Sequence, residues 1–204
     1  MSNKHGNTRL AAMPKAVVWL QGVTIAWMSI ETAASLYSAQ QAHSTALLAF
    51  GSDSLVELFS ATVVLLPFMP TFPLSKERAE RWAGILLFVL AGVVAITAVT
   101  SLIYRIPPEA SGLGIGVTIA ALIIMPLLAW GKRRTAHATD NRALAADAVQ
   151  SATCAYLAAL TLAGLAVNAV FHIHWIDYVA TLAALPILFI EGRRAMRGEG
   201  CGCH

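Results

Sequence analysis

Apolar residues come in six runs, each long enough or nearly so to cross a bilayer as a helix, and polar punctuation separates them. The runs are Ala16–Ser38, Ala46–Phe68, Trp82–Tyr104, Gly112–Trp130, Ala143–Phe171 and, shortest, Trp175–Ile190. A window of about 20 apolar residues spans the hydrocarbon core. The runs are continuously apolar, without the period-two alternation of barrel strands, so helices are expected. Between them, Ala39–Thr45 reads as a short loop, and Pro70–Pro73 with Ser75–Arg81 as a loop that stops one helix and restarts another. Pro107-Pro108 ends the third run, and Gly131–Asn141 reads as a basic linker. The fifth run is rich in Ala and Ser and contains Gly164, which lets neighbouring helices approach closely.

Charge adds an orientation. Lys4, Arg9 and Lys15, then Lys76, Arg78 and Arg81, then Lys132, Arg133, Arg134 and Arg142, then Arg193, Arg194 and Arg197 all fall on one side. Of the 14 Lys and Arg, only Arg105 falls on the other. The positive-inside rule then puts both termini in the cytoplasm. Trp82, Trp130 and Trp175 suit the aromatic belts at the two interfaces. The expected architecture is an all-α membrane protein, a six-transmembrane-helix bundle in the plasma membrane. It divides into a cytoplasmic segment 1–15, a transmembrane domain 16–190 and a cytoplasmic tail 191–204.

Composition agrees. Charged residues make up 12% and hydrophobic ones 57%, with a mean hydropathy of +0.67, whereas a soluble domain carries about 25% charge. The net charge of +3 gives no reason to expect a nucleic-acid partner. Met1–Pro14 is polar and the run after it is too long for a signal peptide, so no cleaved leader is expected. Cys154, Cys201 and Cys203 make no disulfide framework.

Chemistry concentrates inside the runs. Of 11 acids, Glu31, Asp53, Glu57 and Asp147 lie well within spans, and Asp177 lies at an edge. No Lys, Arg or His is expected at comparable depth, so the interior reads as negative without a protein counter-charge. Such acids are either protonated or balanced by a mobile cation. A lone Glu31 could simply bond a neighbouring helix. Asp53 and Glu57, four apart and stacked on one helical face, point to a cation site. In the fifth run Asp147, Gln150, Ser151 and Cys154 share one stripe of oxygen and sulfur donors. Counting positions from the span ends puts Cys154 level with Glu57. Asp147 falls about 10 Å nearer the cytoplasm at 1.5 Å per residue, as a relay group. Glu31 falls in the outer half, on the exit side. The terminal Cys201-Gly202-Cys203-His204 could capture a soft metal, and His43, His172 and His174 read as interfacial. Pro186 is expected to kink the last span.

The frame resembles the cation diffusion facilitator family. Its six helices carry two metal ligands four apart on the second and two four apart on the fifth. The matching positions read Asp53-Ser-Leu-Val-Glu57 and Asp147-Ala148-Val149-Gln150-Ser151-Ala152-Thr153-Cys154, with Gln150 at the family's His and Cys154 at its Asp. Phe50-Gly51-Ser52-Asp53-Ser54 and the Cys-bearing tail are similar to a branch with only the transmembrane part. The resemblance implies efflux of a divalent ion against protons. The metal residues would be Asp53, Glu57, Gln150 and Cys154, with Ser54, Ser151, Asp147 and Glu31 in supporting roles, and a homodimer is possible. A Cys among oxygen donors favours Zn²⁺ or Cd²⁺ over Mg²⁺ or Ca²⁺. No tightly bound cofactor is expected. The alternatives are a membrane metal sensor or delivery protein, and, with no nucleophile–base pair or phosphate-binding motif in view, an enzyme is the weakest reading.

Overall fold

The computed structural model describes residues 4–65, 76–104, 106–109, 111–172 and 175–196. Within them lie six helices: α1 (Lys4–Ala42), α2 (Thr45–Leu65), α3 (Lys76–Tyr104), α4 (Gly112–Thr139), α5 (Arg142–Phe171) and α6 (Trp175–Met196). The protein is an all-α membrane protein. Four of these helices are apolar and long enough to span a bilayer, namely α2, α4, α5 and α6, and α3 contributes a shorter apolar stretch, Phe88–Tyr104. Helix α1 has the length, 39 residues, but it is the least apolar of the six, since it opens on Lys4–Arg9 and carries Gln21, Thr24, Glu31 and Ser35, all fully buried.

The helices outrun the apolar runs that announced them. The segment read as a basic linker from Gly131 continues α4 to Thr139, and the chain reverses only at Asp140, a left-handed C-cap (φ 48°). Asn141 then caps α5 by accepting from the Leu144 amide at 3.1 Å. The loop expected over Ala39–Thr45 shrinks to a turn at His43 (φ 52°) and Ser44. Residues 66–75, including Pro70–Pro73, lie outside the described residues, as do Arg105 and His174. His172, read as interfacial, closes α5 in the left-handed conformation (φ 56°).

Asp177, set aside as an edge residue, has a structural task. It is buried, and it accepts from the Thr45 amide at 2.8 Å, the Ala46 amide at 3.2 Å and the Ser44 hydroxyl at 2.6 Å. A carboxylate held by the first amides of a helix is stabilised by them and by the helix dipole. Asp177 on α6 therefore fixes where α2 begins.

Helix α2 is the centre of the bundle, packing against α1, α3, α5 and α6. Of its span 67% is buried, against 28–39% for α4, α5 and α6. Met28, Phe50, Val56, Met125, Leu157 and Leu188 meet in the main core. The outward faces are apolar as well: Val89, Val93, Ile96 and Ile103 line one exposed stripe of α3, and Ile119, Ile123, Leu127 and Trp130 one of α4. A helix apolar all round suits a lipid surround.

Small residues set the approach of α1 to α2. A Cβ added at Gly51 would lie 2.6 Å from Ser35 Oγ and 2.8 Å from Leu36 Cδ2. Gly51→Val is therefore expected to destabilise the protein by about 1–3 kcal/mol through overpacking. Denaturation in mixed micelles, compared with a substitution at Gly22, where a Cβ meets open space, checks this. At Gly164 a Cβ would sit 3.2 Å from the Ala180 Cβ of α6, the close approach expected of that residue.

Candidate metal centre

The register of α2 against α5 decides which polar side chains meet. The two helices run antiparallel. Thr161 Oγ1 donates to the Ala46 carbonyl at 3.4 Å, Ser54 Oγ lies 3.8 Å from Cys154 Sγ, Ser151 Oγ donates to Glu57 Oε1, and Ser60 Oγ donates to Asp147 Oδ1 at 3.3 Å. Cys154 is thus level with Ser54, not with Glu57, which lies about one turn further along α2. Helix α1 runs parallel to α5 on the same side, so Glu31 reaches Cys154 and Gln21 reaches Asp147.

Two linked groups result. In the first, Glu31 is fully buried. It accepts from Ser54 Oγ at 2.6 Å, from Trp27 Nε1 at 2.6 Å and from the Cys154 thiol at 3.3 Å. Glu31 therefore stands beside the candidate ligands and not apart from them on an exit side.

The second group overturns an expectation. Lys132 is fully buried, and its ammonium contacts Glu57 Oε1 at 3.1 Å, Asp147 Oδ2 at 2.9 Å and Ser151 Oγ at 2.7 Å. The interior acids do have a protein counter-charge. The physical reason is the extra length of α4: Lys132 stays on the helix, on the same buried stripe as Ala121, Met125, Leu128 and Ala136, while Arg133 and Arg134 are exposed. Gln21 Nε2 completes this group by donating to Asp147 Oδ2 at 2.7 Å.

Asp53 belongs to neither group. It is fully buried, and neither of its carboxyl oxygens has a hydrogen-bond partner among the described residues. The ionisable groups that act on it are Glu191, Glu57 and Cys154. Glu191, on α6 just beyond the last apolar run, escaped the sequence reading. Its signal was its place on a helix that continues to Met196. Even with Lys132, the described interior sets four deep acids, Glu31, Asp53, Glu57 and Asp147, against one cation, so the excess of acidic groups over basic ones stands.

Of the sequence-predicted residues, Asp53, Glu57, Cys154, Ser54, Ser151, Glu31 and Asp147 are all buried within this region. Gln150 is only half-buried, at the margin of the stripe. Cys201, Cys203 and His204 lie outside the described residues. No three His, Cys, Asp or Glu side chains among the described residues already converge at ligand spacing. Glu57 is drawn toward Lys132, and Cys154 toward Glu31.

The sequence pattern of the cation efflux transmembrane domain matches residues 19–198. The chain belongs to the cation efflux family. It is therefore a multi-pass membrane protein that exports cations, divalent ones in this family, and it is a transporter and not an enzyme. The match runs from α1 through α6 and takes in every acid of the two groups. No curated protein matches the chain.

Proposed function

We propose that this cation efflux protein carries Zn²⁺ or Cd²⁺ out of the cytoplasm in exchange for protons, by alternating access around Asp53, Glu57, Gln150 and Cys154. The observation that carries the reading is Asp53, a fully buried carboxyl whose oxygens have no hydrogen-bond partner among the described residues, in the field of Glu57 and the Cys154 thiol. A buried polar group without a partner is costly. At membrane depth it persists where a passing ion uses it. Cys154 gives the site its character: a thiolate among carboxylates suits borderline and soft ions and disfavours Mg²⁺ and Ca²⁺.

Cys154 and both carboxylates must be deprotonated to bind metal, so binding releases protons, and release of the metal lets them return. Gln150 would have to turn inward to complete the shell, and Glu31, already 3.3 Å from Cys154 Sγ, is a further oxygen donor within reach. The one-sided Lys and Arg distribution supports cytoplasmic termini in the plasma membrane. The Cys201, Cys203 and His204 tail would then gather metal on the side from which it is taken. Dimerisation through the membrane helices goes with this reading.

Proteoliposomes with an imposed pH gradient test it. Zn²⁺ or Cd²⁺ is expected to accumulate against the gradient of protons, to stop when a protonophore collapses that gradient, and to be lost in Glu57→Ala. Cys154→Asp is expected to shift the Cd²⁺-to-Zn²⁺ transport ratio toward Zn²⁺ by at least about 10-fold, the equivalent of about 1.4 kcal/mol. Saturable binding without accumulation would instead favour a sensor or delivery protein. An unchanged ion ratio would remove Cys154 from the ligand set.

A further inference from the structure

A lysine near the end of a membrane helix normally extends its stem toward the interface and keeps its ammonium in water. Lys132 does the reverse. It is roughly two helical turns from the α4–α5 turn at Asp140, yet its side chain is fully buried. An ammonium has three donors, and all three have an acceptor: Glu57 Oε1, Asp147 Oδ2 and Ser151 Oγ. The three acceptors come from two helices, α2 and α5, and α4 supplies the cation.

Stability is a weak explanation for this arrangement. A buried ion pair replaced by apolar residues of similar volume is often no less stable, because desolvation cancels the attraction. Glu57 suggests another. Its Oε1 is committed to Lys132 and Ser151, while its Oε2 is buried with no hydrogen-bond partner among the described residues. The carboxylate has one oxygen on the protein's own cation and one to spare, on the helix face that also carries Asp53.

We propose that Lys132 is a built-in competitor of the transported ion, sharing Glu57 with it and setting how tightly it is held. The inference rests on Glu57 being a metal ligand, as argued above. With Glu57 drawn onto Lys132, the incoming ion gains only part of that carboxylate, and the pull of the ammonium favours its release. Lys132 is thus a positioning residue that trades affinity for turnover, acting through Glu57 and as a fixed charge. Asp147, Ser151 and Gln21 hold it at the right distance, with Gln21 Nε2 and the ammonium sharing Asp147 Oδ2.

The test is calorimetric titration of Zn²⁺ and Cd²⁺ into the full chain in detergent, carrying Cys201→Ser and Cys203→Ser so that the tail does not compete, together with transport kinetics in proteoliposomes. Lys132→Met is expected to lower the Kd at least about 10-fold and to lower KM and the maximal rate together, with Lys132→Arg staying near the parent protein. A merely structural residue would weaken binding when lost, not tighten it. The double variant Lys132→Met with Asp147→Leu keeps the net charge of the parent and leaves no orphaned ion partner at Asp147, so it serves if the single variant does not fold. It too is expected to bind at least about 10-fold more tightly. Unchanged or weaker binding in the folded variants, with Glu57→Ala abolishing binding, would overturn the role of Lys132 and leave the metal site standing. If Glu57→Ala binds as the parent does, the site assignment fails and this proposal with it.

Discussion

Asp53→Asn is expected to lower cation transport by at least about 100-fold and to leave the fold as stable as before, or more so. The first half follows from ligand chemistry: the amide removes a charge and one of two donor oxygens. Disturbing a group that only orients a ligand typically costs about 10–100-fold in metal affinity, so losing a ligand costs more. The second half follows from Asp53 having no hydrogen-bond partner among the described residues. Replacing a buried carboxyl that lacks such a partner by a neutral group also removes a cost of burial. Loss of function without loss of stability is the mark of a residue retained for its chemistry. Initial rates of uptake and a melting curve in detergent, measured on the same preparation, check both halves. A large fall in melting temperature would mean that Asp53 is a structural residue.

Asp147 behaves in the opposite way. Asp147→Ala is expected to destabilise the protein by about 3–5 kcal/mol, the range for removing one partner of a buried ion pair. It deprives Lys132 of its contact at 2.9 Å and leaves Gln21 and Ser60 without their acceptor. Asp147→Asn keeps one oxygen, for Gln21 and Lys132, and turns an amide N–H toward the Ser60 hydroxyl, which can accept it, so it is expected to cost less. Adding Lys132→Met to Asp147→Ala removes the stranded charge and is expected to recover most of the loss, giving a coupling energy above about 1 kcal/mol in a double-mutant cycle. Unfolding in denaturing mixed micelles measures it. Additive effects would mean that the two side chains do not sense each other.

The contrast between these two acids marks what could and could not be read from the chain. Hydropathy located the helices because lipid imposes continuous apolarity on their outer faces, and Val89, Val93 and Ile96 of α3 need no partner to be recognised. Asp53, Glu57 and Cys154 were legible because charge or thiol inside such a run is rare. Lys132 was not, since Lys132-Arg133-Arg134 looks like one solvated block. Yet a helix turns about 100° per residue, which places Lys132 inside and its two neighbours outside. The clue was an apolar stripe, Ala121, Met125, Leu128 and Ala136, that passes through position 132. Hydropathy averages over a window and discards that phase.

The level of the proposed ligands escaped for a different reason. Counting from span ends assumes that helices start at equal depths, whereas the offset of α2 against α5 comes from contacts distant in sequence. Asp177 of α6 holds the first amides of α2, and Gly51 seats α2 against Ser35 and Leu36 of α1. Together they bring Cys154 opposite Ser54 and Ser151 opposite Glu57. Gln150 illustrates the limit of stripe reasoning. Its offset from Asp147 puts it on the polar face, but at the margin, where it is half-buried.

X-ray absorption at the zinc edge, on full-length protein with Cys201 and Cys203 replaced by Ser and one Zn²⁺ bound, tests the assignment of the metal centre most directly. A single sulfur ligand is expected at about 2.3 Å, with the remaining donors oxygen at about 2.0–2.2 Å. The sulfur shell should vanish in Cys154→Ser, and the Zn²⁺ itself should be lost in Asp53→Asn. A shell without sulfur, or one unchanged by either substitution, would contradict it.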